Sequence, residues 1–136
     1  VLLDNGEMIS DKKPLLEIRG RCDCDCIDII DMPNSAEEIG RVFSDLSLLV
    51  GMRFHGLLIS ACYSIPFVGF SCDSKVSDIC GQYAMPYCDM DDISFAWLTK
   101  SVEMANKSKI CPQVLSEAIN KSQINFEYLA DCLKHQ

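Results

Sequence analysis

Residues 48–75 read LLVGMRFHGLLISACYSIPFVGFSCDSK, and this stretch decides the fold. Leu46 to Val50 is a short apolar run closed by a glycine, which reads as a buried strand rather than a helix. Gly51 to Arg53 turn the chain. Phe54 to Ser64 is apolar on nearly every side, which predicts a buried helix. Ile65-Pro66-Phe67-Val68-Gly69-Phe70 is the next strand. Strand, helix and strand at this spacing form a βαβ unit, two parallel strands joined by a right-handed crossover.

The same alternation extends in both directions. Upstream, Ser35-Ala36-Glu37-Glu38 is a capping box, followed by Ile39, Val42, Phe43 and Leu46 at the i, i+3, i+4, i+7 spacing of a one-faced helix. Cys24 to Asp31 alternates and reads as a strand, and Pro14 opens a short helix closed by Gly20. Downstream, Val76, Ile79, Cys80 and Tyr83 mark an amphipathic helix stopped at Pro86, and Tyr87-Cys88 is a strand stub. Asp91 or Asp92 caps a helix carrying Ile93, Trp97 and Met104. The final helix bears a stripe at Leu115, Ala118, Ile119, Phe126, Leu129, Ala130 and Leu133. No internal repeat is evident. The fold class is α/β: a Rossmann-like parallel sheet flanked by helices on both faces, with a helical tail over 91–136.

The chain has 136 residues, about half hydrophobic, and a formal charge of −8, which suits one domain with a real core. A nucleic-acid surface needs clustered Lys and Arg, so the acidity argues against one. No apolar run reaches the roughly 18–20 residues that cross a bilayer. The nine cysteines are odd in number, irregularly spaced and mostly in apolar segments, which predicts reduced thiols in a cytoplasmic protein. Cys22, Cys24 and Cys26 would share one face of a strand, but a closed zinc site needs four ligands and no second cluster exists. No metal site is expected. Asp89, Asp91 and Asp92 read as a helix-start cap.

Ligands of open parallel sheets bind beyond the carboxyl ends of the strands, where Gly51-Met52-Arg53-Phe54-His55 lies. Unpaired N–H groups at a helix start favour a phosphate or carboxylate. Arg53 adds a forked permanent charge, and His55 can exchange a proton near neutral pH. The bland alternative is that Arg53 pairs with a neighbour and His55 caps backbone. Ser71-Cys72-Asp73-Ser74-Lys75 follows the next strand and can reach the same crevice. Equally, Asp73 or Ser74 is a good N-cap and Lys75 a solvated charge.

GMRFHGLLISACYSIPFVGFSCDSKV resembles the polysaccharide pyruvyl transferase family, whose members carry a glycine or serine, Met-Arg-x-His, an apolar helix, a Pro-Phe-Val strand and a Ser-x-Asp-x-Lys-Val loop. Cys72 stands where that loop often has an aromatic residue. The resemblance implies the C-terminal lobe of a two-lobed enzyme similar to GT-B glycosyltransferases. That enzyme would transfer pyruvate from phosphoenolpyruvate, as a ketal, to hydroxyls of a sugar or glycan acceptor in polysaccharide biosynthesis. It implies catalytic roles for Arg53 and His55, and substrate contacts at Gly51, Met52, Phe54, Ser71, Asp73 and Lys75. No cofactor is implied beyond the donor substrate. A complete member is far longer, so the expectation is one lobe at 1–136, inactive without its N-terminal lobe and able to form a homodimer in isolation. Two other readings compete: the nucleotide-sugar half of a glycosyltransferase or epimerase, and a non-catalytic α/β binding module.

Overall fold

The structure is a computed structural model that describes residues 2–4, 12–22, 26–31, 33–71 and 73–134. Side chains at 2–4, 12, 31 and 124–134 lie outside that description. The chain divides into two compact units, Val1–Arg41 and Val42–Gln136.

The first unit holds β1 (Leu2–Asp4), α1 (Lys12–Arg21) and β2 (Ile29–Asp31), and α2 (Ala36–Ser44) begins in it. β1 and β2 pair in parallel, Leu2 opposite Ile29. Of the strand expected over Cys24 to Asp31, Cys24 and Asp25 lie outside the described residues, Cys26 sits in a turn, and the described pairing runs from Ile29. Cys26 is disulfide-bonded, so the expectation of uniformly reduced cysteines fails there. It holds for Cys22, Cys62, Cys80, Cys88 and Cys111. The capping box forms with one change. Ser35 Oγ accepts from the Glu38 N–H at 3.2 Å, and the Glu38 carboxylate returns to the N–H of Asn34 at 2.8 Å.

The second unit is built on a parallel sheet of β3 (Leu49–Gly51), β4 (Phe67–Ser71) and β5 (Tyr87–Asp89), in that order. α3 (Phe54–Cys62) links β3 to β4, and α4 (Ser74–Gln82) links β4 to β5. Side chains alternate along β4, so Phe67, Gly69 and Ser71 face one way. A Cβ placed on Gly69 would meet Cys80 of α4, and the Phe67 ring packs edge-on against Tyr83. This face therefore meets α4. Phe70 points the other way, with its ring 6.0 Å from that of Trp97 on α5 (Phe95–Lys107). The sheet is covered on both faces, as the Rossmann-like reading requires.

The core lies on the α3–α4 side and comprises Leu57, Ala61, Phe67, Val76, Ile79, Cys80, Tyr83, Met85 and Ile110. The stripe predicted for α4 is buried at all four positions. α3 is less buried than its composition suggested. Leu57, Ser60 and Ala61 are interior, whereas Leu58 and Ile59 are half-exposed. α5 is capped by Ser94, whose Oγ accepts from the Trp97 N–H at 3.2 Å, not by Asp91 or Asp92, which lie in a 3-10 turn. Its buried residues are Ser101 and Ala105, and Met104 faces out. α6 (Pro112–Lys134) lays Val114 and Leu115 against the core.

A repeat that residue identity conceals emerges from the geometry. α3 and α4 have the same length and start twenty residues apart, at Phe54 and Ser74. Tyr63-Ser64-Ile65-Pro66-Phe67 and Tyr83-Ala84-Met85-Pro86-Tyr87 then make the same exit. Ser64 and Ala84 both take positive φ, 58° and 53°. The N–H groups of Ile65 and Met85 reach back to the carbonyls of Ser60 and Cys80 at 2.9 and 2.8 Å. These are paired Schellman ends.

Candidate functional site

The site is the carboxyl edge of the three-stranded sheet. Register places Gly51 opposite Gly69, and Ser71 opposite Asp89. β3 ends at Gly51, with Met52 in a bend and Arg53 just before α3. The two loops picked out by sequence therefore leave adjacent strands at one edge.

The twenty-residue repeat makes Arg53 the counterpart of Asp73, and His55 the counterpart of Lys75. Asp73 is the N-cap of α4: one carboxylate oxygen accepts from the N–H groups of Lys75 at 2.9 Å and Val76 at 3.2 Å. Ser71 Oγ donates to the Asp73 carbonyl at 2.8 Å and shapes that turn. For Asp73 and Ser71 the capping role is thus what the structure displays. At α3 the equivalent position is Arg53, extended at φ −94° and ψ 121°, with no side-chain cap. Arginine has no acceptor to offer. The first N–H of α3 to find a helical acceptor is that of Leu57, on the Arg53 carbonyl at 3.3 Å. Among the described residues, the N–H groups of His55 and Gly56 find none. α2, α4 and α5 are closed by Ser35, Asp73 and Ser94. α3 instead begins with free donors and an arginine at its cap position, residue chemistry that favours an anion.

Arg53 and His55 are exposed. Among the described residues neither side chain has a hydrogen-bond or ion-pair partner, so the salt-bridge and backbone-capping alternatives do not apply. The His55 ring stands edge-on to Phe54, centroids 5.5 Å apart, which leaves its nitrogens unengaged. Met52 is exposed and Gly51 half-buried. A Cβ at Gly51 would come no closer than 3.8 Å to Leu57, so serine fits there as well.

Phe54 and Lys75 come together away from the loop tips. Both line a cavity of about 210 Å³, with Leu58, Asp78, Gln82 and Tyr83 among its other walls. Asp78 and Gln82 were not singled out from the sequence, and Tyr83 only as a core position of the α4 stripe. The available signal was the spacing of Lys75, Asp78 and Gln82 on one face of α4. Among the described residues no cluster of histidine, cysteine and carboxylate side chains is arranged to hold a metal. None of the described helices is long and apolar enough to cross a membrane.

No curated protein and no solved structure matches the chain. A sequence model of one family, described as polysaccharide pyruvyl transferase, matches residues 2–74. That span takes in the edge from Gly51 through Asp73 and ends just before Lys75. It covers more than half of the 136 residues, and the uncapped start of α3 lies within it: the chain belongs to the polysaccharide pyruvyl transferase family.

Proposed function

We propose that this chain is the donor-binding, C-terminal lobe of a pyruvyl transferase that uses phosphoenolpyruvate and builds a pyruvate ketal on a sugar. The observation that carries this reading is the uncapped start of α3, where Arg53 replaces the acidic cap found at the equivalent Asp73. Phosphoenolpyruvate carries two anionic groups, a phosphate and a carboxylate, and either suits the free N–H groups and the Arg53 fork.

The chemistry assigns a step to each side chain. His55, as imidazolium, gives a proton to the donor methylene, which becomes a methyl group and leaves oxocarbenium character at the central carbon. A sugar hydroxyl adds to that carbon and its proton passes to His55, left neutral by the first step. Phosphate then departs with the electrons of its C–O bond, and a second hydroxyl adds to close the ketal, its proton passing to the released phosphate. Arg53 holds the donor through both additions and stabilises the negative charge that grows on the leaving phosphate. The second lobe and the cytoplasmic setting belong to the same proposal.

The test is ketal formation from phosphoenolpyruvate and an acceptor sugar, read by mass spectrometry on the full-length protein. His55→Ala is expected to lower kcat by about 10²–10⁴-fold, the usual worth of a general acid. Arg53→Ala is expected to weaken donor binding as well as turnover. Ketal formation unchanged in both variants would remove the assignment. So would a rise in Tm with a nucleotide diphosphate sugar and none with phosphoenolpyruvate.

A further inference from the structure

We propose that Phe54 is a positioning residue for pyruvyl transfer: anchored against the core, its ring holds the His55 imidazole in the orientation from which it gives the proton. This rests on the pyruvyl transfer reading, which makes His55 the acid. A histidine that moves protons is ordinarily oriented by a hydrogen-bond partner at its other ring nitrogen. His55 has no such group. Among the described residues its side chain has no hydrogen-bond or ion-pair partner, and it is exposed. An exposed side chain with nothing to hold it divides its time among several staggered rotamers.

What meets the imidazole is the Phe54 ring, with centroids 5.5 Å apart and planes crossing at 74°. Aromatic pairs prefer such a T-shaped arrangement at roughly 4.5–7 Å. Successive residues of a helix do not face one another, so adjacency in sequence does not by itself produce the contact. Phe54 can serve as the fixed member because it is the one side chain of the run 52–55 that reaches inward. Met52, Arg53 and His55 are exposed, whereas Phe54 is half-buried and packs against the core cluster. Its ring shares a wall with Leu58, Ile79 and Tyr83.

The twenty-residue repeat shows what this anchoring replaces. At α4 the Asp73 carboxylate fastens the first turn, and the position equivalent to Phe54 is Ser74, which is exposed. At α3 the cap residue Arg53 makes no side-chain bond, and the equivalent position carries a ring packed on the core. Apolar packing thus fastens a turn that a cap would otherwise close, and it leaves the N–H groups of that turn unused. Phe54 has no acid–base chemistry of its own and acts through His55. A T-shaped pair biases a side-chain equilibrium by roughly two- to tenfold, well below the ~10²–10⁴-fold worth of the acid itself. The effect of losing the ring is therefore bounded on both sides.

The experiment pairs imidazole-proton NMR on the chain, at one fixed pH, with ketal-forming kinetics on the full-length protein. The chain has two histidines, His55 and His135, and the signals lost in His55→Ala assign the first. Phe54→Leu and Phe54→Met keep apolar bulk and remove the ring, and Phe54→Tyr keeps it. The first two variants are expected to shift the His55 signals and leave those of His135 in place. They should also lower kcat roughly two- to tenfold with KM for phosphoenolpyruvate unchanged, the mark of an interaction used only in the transition state. Phe54→Tyr should restore both readouts. Unmoved His55 signals in the ring-less variants would overturn the proposal. So would a rise in KM at constant kcat, which would make Phe54 a substrate contact, or activity that merely follows Tm across all three variants. If His55→Ala is inactive while Phe54→Leu keeps full kcat, the positioning role alone falls. Full activity in His55→Ala removes the pyruvyl transfer reading, and this role with it.

Discussion

Single residues separate close packing from open function along the sheet edge. Gly69 is where α4 approaches β4, and an added Cβ would lie 2.5 Å from Cys80 Sγ and 3.2 Å from Val76 Cγ1. Both neighbours are buried, so neither can swing aside. Gly69→Ala is expected to destabilise the protein by about 1–3 kcal/mol, as overpacking does. Adding Cys80→Ala should return part of that loss, because it removes the nearest obstructing atom. Urea midpoints of the two single variants and the double variant check this. Equal, additive losses would show that the clash is relieved elsewhere. Gly51, two residues before Arg53, is the counter-example: space around it admits a side chain, and Gly51→Ser should leave the midpoint unchanged.

At the scale of the element, the repeated βα unit makes each end of α3 interpretable against the same end of α4. Replacing Arg53 by Asp would supply α3 with the cap that α4 already has. Arg53→Asp is expected to stabilise the chain by about 1 kcal/mol through the cap and the helix dipole. It should also remove phosphate binding, by filling the anion position and reversing the local charge. A loss of both stability and binding would mean that Arg53 holds the fold rather than the ligand. At the other end, Ser64 and Ala84 sit in the left-handed region, which disfavours any residue with a Cβ. Glycine is relaxed there, and Ala84→Gly is expected to raise stability by about 0.5–1 kcal/mol. Thermal and urea unfolding of that single variant are sufficient to test it.

Across the whole molecule, stability should fall in strong alkali. Burial pushes the Cys80 thiol from its ordinary 9.0 up to about 11, against a smaller opposing effect from a hydrogen bond with the Gly69 backbone. The unfolded chain therefore releases this proton first. Stability is complete below about pH 9 and declines as pH rises toward 11. The Tyr83 phenol, also raised by burial, acts in the same direction. Urea midpoints at pH 8, 9.5 and 11 should fall in that order, and less steeply in Cys80→Ala. By itself the sequence determined the βαβ alternation, the buried stripe of α4 and the parallel sheet, and it singled out Arg53 and His55 as the residues to test. Hydrophobic period and turn residues are local, and they state these features directly. Other features depended on distances the chain does not encode locally. The alternation around Cys24 could not show that Cys26 sits in a turn, since alternation records which side chains share a face and not where a partner strand lies. Asp91 and Asp92 have cap chemistry, but Ser94 has the position. The repeat of α3 and α4 rests on backbone geometry shared by mostly different side chains. That geometry sets Arg53 against Asp73, showing the edge at residues 48–75 to have one helix start closed by a side chain and the other uncapped. Likewise, only tertiary packing joined Phe54 to the α4 stripe, because a cavity is made by residues far apart in sequence whose faces meet when the helices pack.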